Sequence, residues 1–120
     1  MKHLILTITM VLFCATMQAQ EKKKNAKTTI KVDGVCMMCK KRIEKAALAT
    51  KGVKYAVWNV KTHDLDLIFD ERKTAIKAIE ENIAKAGHDT QETKATDEDY
   101  NNLHPCCKYR DTKVIDDHKN

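Results

Sequence analysis

Apolar positions along this chain follow two periods, and the switches between them mark the elements. Thr28, Thr29, Ile30 and Val32 make an alternating, β-branched run ended by Asp33-Gly34, which predicts a strand. From about Met38 to Thr50, the small and apolar residues Ile43, Ala46, Ala47 and Thr50 recur at helical spacing. Lys40, Lys41, Arg42, Glu44 and Lys45 take the opposite face, so this stretch predicts an amphipathic helix. Gly52 stops it. Val53 to Val60 predicts a second strand with Ala56, Trp58 and Val60 on one face. Residues 61–64 make a turn, and Leu65, Leu67 and Phe69 alternate inward along a third strand. Asp70 to Lys73 leads into a second helix whose inner face is Ile76, Ile79 and Ile83, with Ala86 below and Gly87 closing it. His88 to Thr93 is short and polar and reads as an edge strand.

The predicted order over residues 28–93 is therefore βαββαβ, the split-βαβ, ferredoxin-like arrangement of the α+β class. It implies a four-stranded antiparallel sheet with both helices on one face. Twelve core candidates, the nine Ile, Leu, Trp and Phe residues named above together with Val32, Val53 and Val60, suffice for one small domain. No internal repeat or low-complexity stretch interrupts it. Residues 20–27 are polar and predict a flexible leader. In the tail, residues 94–120, Thr96-Asp97-Glu98-Asp99 looks like a helix start, with a capping hydroxyl followed by acids. Tyr100 and Leu103 offer apolar contacts, His104-Pro105 ends the turn, Cys106-Cys107 follows, and residues 111–120 read as frayed.

The first nineteen residues read as a signal peptide, with Lys2, an apolar run from Leu4 to Phe13, and Met17-Gln18-Ala19 before a cut. The run is shorter than the ~20 apolar residues of a membrane-spanning helix. Bulky Phe13 before Cys14 argues against a lipoprotein signal. The expected product is exported, periplasmic or secreted, with no stable membrane insertion. The formal net charge is +5, and losing Lys2 with the leader lowers it by one. Lys22 to Lys24 is a short basic run, and aromatic residues are few, so nucleic acid is not an expected partner. A domain this small leaves little room for a buried catalytic cavity, and a binding module rather than an enzyme is expected.

The candidate chemistry lies in Cys36-Met37-Met38-Cys39, at the junction of a strand and a helix. A helix N-terminus favours thiolate over thiol, and thiolates select soft ions such as copper(I) or zinc over calcium and magnesium. Two sulfurs suit the low coordination numbers of copper(I) and mercury(II), whereas tetrahedral zinc wants two more ligands. A C-x-x-C alone is shared by redox proteins, zinc knuckles and metal carriers.

Its surroundings sharpen it. Gly34-Val35-Cys36-Met37-Met38-Cys39, Ile43-Glu44-Lys45-Ala46, Gly52-Val53, Ala56, Asn59-Val60, Phe69-Asp70 and Ala86-Gly87-His88 together resemble the heavy-metal-associated domain. That family includes copper chaperones, N-terminal modules of copper-exporting ATPases and a periplasmic mercury-binding protein. The resemblance spans residues 28–93 and implies metal ligation by Cys36 and Cys39. It also implies a metal ion as cargo, copper(I) first with mercury(II) or zinc as alternatives, and a metal-transporting ATPase or other acceptor as partner. The Gly-to-Cys segment is one residue shorter than the family's usual Gly-Met-Thr-Cys, and Ala47 replaces a bulky helix residue opposite large Trp58. Met37 and Met38 are expected to pack or lie exposed. His88 is a candidate third ligand in a loop near the thiols, and His63 is expected in the opposite turn, facing solvent. Cys106 and Cys107 are candidate auxiliary ligands brought in by a folded-back tail.

Two readings compete. In an oxidising compartment, the four cysteines beyond the leader could staple a metal-free interaction domain, although a C-x-x-C disulfide closes too short a loop to stabilise much. A thiol–disulfide oxidoreductase would also place C-x-x-C at a strand-to-helix junction, but Pro105, the one proline, lies far from the motif.

Overall fold

Three antiparallel strands carry the core, in the spatial order β1-β3-β2. The computed structural model describes residues 21–119, so the expected signal peptide and Cys14 lie outside the described residues. In chain order the elements are β1 (Ala26–Lys31), α1 (Met37–Leu48), β2 (Val53–Trp58), β3 (Asp64–Phe69) and α2 (Ile76–Lys85). The tail adds α3 (Asp97–Asn101), a 3-10 turn at Pro105–Cys107 and α4 (Thr112–Asp117). Alternation along each strand buries Ile30, Ala56, Trp58, Leu65, Leu67 and Phe69 on one face. That face joins Ile43 and Ala47 of α1 and Ile79 and Ile83 of α2 in a single apolar cluster. Both helices thus cover the same side of the sheet, as the 2-residue and 3.6-residue periods require.

The expected fourth strand is the main correction. Residues 88–93 form one isolated antiparallel bridge, Val32 to Thr90, instead of a ladder. Thr90 turns back on itself, its amide bonding the Thr93 carbonyl at 2.8 Å and its hydroxyl bonding the same oxygen at 3.1 Å. The Gln91 side chain then accepts from Lys31 N at 3.2 Å. A side-chain oxygen thus stands where a ladder would place a backbone carbonyl.

Other boundaries moved for local reasons. β1 begins at Ala26, which is buried opposite Phe69. Lys23 of the expected flexible leader is also tied to Glu71, donating to its carboxylate at 2.7 Å and accepting from its amide at 2.9 Å. β2 stops at Trp58 because the Asn59 side chain accepts from Lys61 N and Thr62 N, at 2.8 and 3.1 Å, turning the chain. Val60 is therefore only half-buried, as are Val53 and Ile76. Residues 112–117, expected to fray, form a short helix capped by Asp111.

His63 is also not where the sequence suggested. Because β1 runs antiparallel to β3, the end of β1 meets the start of β3. The His63 carbonyl consequently accepts from Val32 N at 3.0 Å, and its ring stacks on Trp58 at 5.6 Å. It sits half-buried at the same end of the sheet as the cysteine loop.

Gly87 links domain and tail. Its φ of +103° is a left-handed conformation, and a Cβ there would lie 2.8 Å from Leu103 Cδ2 and 2.9 Å from the Asp99 carbonyl. Gly87→Ala is expected to cost about 1–3 kcal/mol of stability and to push the tail off the domain. Equilibrium denaturation reads the first effect, and alkylation of Cys107 in the native protein reads the second. A variant of unchanged stability with Cys107 still protected would contradict this packing.

Candidate metal centre

The cysteine loop is held from three directions. Asp33 N donates to the Asp89 carbonyl at 2.9 Å, and His88 Nδ1 lies 2.8 Å from the Asp33 carbonyl. Trp58 is fully buried beneath the loop, donating Nε1–H to the Val32 carbonyl at 3.0 Å. A Cβ at Gly34 would lie 2.9 Å from the Trp58 ring and 3.1 Å from Cys39 Cβ. Glycine is needed here for close approach, and the large indole fills the space under the shortened loop.

Cys36 is the N-cap of α1, with extended backbone and its sulfur accepting from Cys39 N at 3.4 Å. It thus occupies the place where a Ser or Thr hydroxyl commonly satisfies an unpaired helix amide. One turn on, Cys39 is fully buried, and the two sulfurs are 3.2 Å apart.

The tail adds a third thiol. Cys107 Sγ lies 3.2 Å from Cys36 Sγ, although 71 residues separate them. Cys106 Sγ is 3.9 Å from Cys107 Sγ, and the sulfurs of Cys36, Cys106 and Cys107 all lie within 4.8 Å of one another. The four cysteines among the described residues are free thiols. What brings the tail here is specific. Leu103 is buried, and the Tyr109 hydroxyl donates to the Gly87 carbonyl at 2.7 Å while accepting from Asp89 N at 2.9 Å. Tyr109 stacks on His88 at 5.4 Å and meets Tyr100 edge-on at 5.2 Å. Arg110 grips Asp89 at 2.8 and 3.3 Å, donates to the Ala95 carbonyl at 2.9 Å, and lies 4.3 Å from the centre of the Tyr100 ring. Burial would raise the Asp89 carboxyl, but the Arg110 guanidinium and the Ala95 amide together outweigh it and the net shift is downward, which favours an ionised clamp.

The thiols differ in acidity. Burial pushes the Cys36 thiol up, yet hydrogen bonds from the Cys39 side chain and amide, from Cys107 and from the Met38 amide reverse this, and the net shift is down. Burial raises Cys39. Burial also lifts Cys107 well above the ordinary thiol range, reinforced by its hydrogen bonds to Cys39 and Cys36. Cys36 is thus the first of these three to ionise, and the other two donate toward it. Lys40 does not serve as a counter-charge, because its ammonium is bonded to Glu44 at 2.7 Å and to the Trp58 carbonyl at 2.8 Å. A soft cation would displace the thiol protons and offset the buried charge itself.

Met37 and Met38 are both exposed, but Met38 Sδ lies 3.9 Å from Cys106 Sγ. His88 is fully buried with Nε2 unpartnered, while the thiols that converge are those of cysteines. His104, read from the sequence only as part of a turn, places Nδ1 3.2 Å from Cys106 Sγ. The His-Pro-Cys-Cys string was the available signal: an imidazole two residues before a thiol, on a chain bent by proline.

The heavy-metal-associated domain family matches residues 29–89, half of the chain, and the protein belongs to that family. Among solved structures, it is similar to a CopZ metallochaperone at 26% identity and a TM-score of 0.52, over 54% of this chain and 98% of the other. A copper binding domain from HMA7, a P-type ATPase, is 27% identical with a TM-score of 0.53, over 54% and 89%. The water-soluble region of the P-type ATPase CopA from Bacillus subtilis is 31% identical with a TM-score of 0.50, over 61% of this chain and 47% of that one. No curated protein sequence matches. Cys106 and Cys107 lie beyond the matched family segment.

The buried His88 makes stability pH-dependent. Burial lowers its pKa from 6.5 to about 4, opposed by its bond to the Asp33 carbonyl. The unfolded chain therefore binds the proton first, and stability present above pH 6.5 is lost as pH falls toward 4, by roughly 3 kcal/mol. Denaturant titrations across this window should show the loss in the wild type and a flatter profile in His88→Phe. Parallel profiles would place the titration elsewhere.

Proposed function

We propose that this protein binds a thiophilic ion, copper(I) by preference, through Cys36, Cys39 and the tail thiol Cys107, and acts as a metal chaperone or scavenger. The observation that carries the reading is the position of Cys36 Sγ, 3.2 Å from the sulfurs of both Cys39 and Cys107. Metal–thiolate bonds of about 2.3 Å place three sulfurs around one ion roughly 4 Å apart. The Cys36–Cys39 and Cys36–Cys107 pairs therefore open by less than about 1 Å when an ion replaces the thiol protons. Three thiolates suit copper(I) and also accommodate mercury(II). Zinc would recruit Cys106 as a fourth sulfur.

The half-buried Cys36 is the entry and exit point, since Cys39 and Cys107 are fully buried. Transfer proceeds by ligand exchange, with an acceptor's thiolate taking the place of Cys36 first. A metal-transporting ATPase or another metal-acceptor protein is the proposed partner, a role supported by the likeness to copper-binding ATPase domains. Export to the periplasm or outside the cell is proposed from the leader at residues 1–19.

Competition with a copper(I) chelator on the reduced protein tests this. Cys36→Ser or Cys39→Ser should weaken binding by orders of magnitude. Cys107→Ser should weaken it by at least about tenfold, or about 1.4 kcal/mol. Unchanged affinity in the first two variants would end the assignment, and unchanged affinity in the third would remove Cys107 from it.

A further inference from the structure

Cys106 has a ligand set of its own outside the inner three thiols. Its sulfur lies 3.2 Å from His104 Nδ1 and 3.9 Å from Met38 Sδ. The three groups come from two distant segments, one in the first turn of α1 and one in the 3-10 turn of the tail. Cys106 is half-buried, His104 is exposed and Met38 is 44% exposed, so an ion can reach them directly from solvent. We propose that Met38, His104 and Cys106 form a second, outer site for a soft monovalent cation, adjoining the inner site at Cys107. The inference rests on the inner thiols binding such an ion and extends that reading to two ions per chain.

The chemistry of the donors carries it. A thioether, an imidazole and a thiolate are a soft, mostly neutral set, favouring copper(I) over hard cations. Cys106 N donates to His104 Nδ1 at 3.3 Å, which leaves that nitrogen unprotonated, with the ring proton on Nε2. The proton between Cys106 Sγ and Nδ1 therefore belongs to the thiol, and a cation entering there takes over the single Nδ1 lone pair from the Cys106 amide and thiol. When the cation binds there, the thiol releases its proton to solvent, and one sulfur–hydrogen bond is exchanged for a metal–sulfur bond with no change of oxidation state.

The distances are compatible with shared ligation. Metal–sulfur bonds of about 2.3 Å, at trigonal or tetrahedral angles, separate sulfurs by roughly 3.8–4.0 Å, and Met38 and Cys106 already stand 3.9 Å apart. The sulfur–nitrogen pair must open by roughly half an ångström, given metal–nitrogen bonds of about 2.0 Å. The Cys106 and Cys107 sulfurs are 3.9 Å apart, which sets the outer ion beside a ligand of the inner one. An arriving ion would thus meet the exposed thioether and imidazole first and pass inward by single-ligand steps.

Copper(I) titrated anaerobically into the reduced chain spanning residues 20–120, followed by native mass spectrometry and by NMR of the methionine methyls and histidine rings, decides the matter. The expected result is two ions per chain, with the second equivalent shifting the Met38 methyl and the His104 ring. The double variant Met38→Leu with His104→Gln, which keeps every thiol of the inner cluster, should bind one ion, with the first-ion affinity retained. A wild type that saturates at one ion overturns the outer site alone, as does a second ion that survives in the variant or leaves Met38 unshifted. A wild type that binds none overturns the inner site as well.

Discussion

The Tyr109 hydroxyl donates to the Gly87 carbonyl at 2.7 Å and accepts from the Asp89 amide at 2.9 Å, and the thiol cluster depends on that pair of hydrogen bonds. It fixes the tail to the segment that follows α2, and that same segment holds the cysteine loop through Asp33. Two residues before Tyr109, Cys107 is thereby carried to Cys36. The Arg110–Asp89 pair and buried Leu103 fix the approach on either side. A tail held at three points orders its thiols before any ion arrives, which lowers the entropy lost when ligands are gathered.

Burial and hydrogen bonding set the chemistry of the thiols against each other. Burial disfavours charge on Cys39 and Cys107, while their bonds toward Cys36 concentrate the first ionisation there. With Lys40 engaged by Glu44, no lysine compensates the thiolate from α1's first turn. The cluster is thus poorly suited to carrying several negative charges alone and well suited to a cation that brings its own positive charge. Its softness and its partial burial around half-exposed Cys36 fit transfer by ligand exchange more closely than catalysis.

Much of the fold was legible because periodicity is local. The alternation of Leu65, Leu67 and Phe69 and the helical spacing of Ile76, Ile79 and Ile83 identify buried faces without tertiary information. The fourth strand failed because residues 88–93 are polar, and side chains of Thr90 and Gln91 took over bonds that a ladder would have made. His63 was misplaced because its position depends on which strand end pairs with which, a property of topology rather than of local pattern. Within the candidate site, Cys36 and Cys39 were readable from spacing, and the inward turn of the tail from Tyr100, Leu103 and His104-Pro105. Tyr109 was not, since one aromatic residue in a polar stretch reveals its role only when its hydroxyl meets Gly87 and Asp89. Nor was His104, whose nitrogen gains meaning from the 3-10 turn that aims it at Cys106.

In the proposed site, a domain of the heavy-metal-associated family takes its third sulfur from Cys107, beyond the family segment. X-ray absorption on the chain loaded with one equivalent of copper(I), compared with the same chain ending at residue 93, tests it most directly. Three sulfur neighbours are expected in the full chain and two in the shortened one. Two sulfurs at the same bond length in both would contradict it.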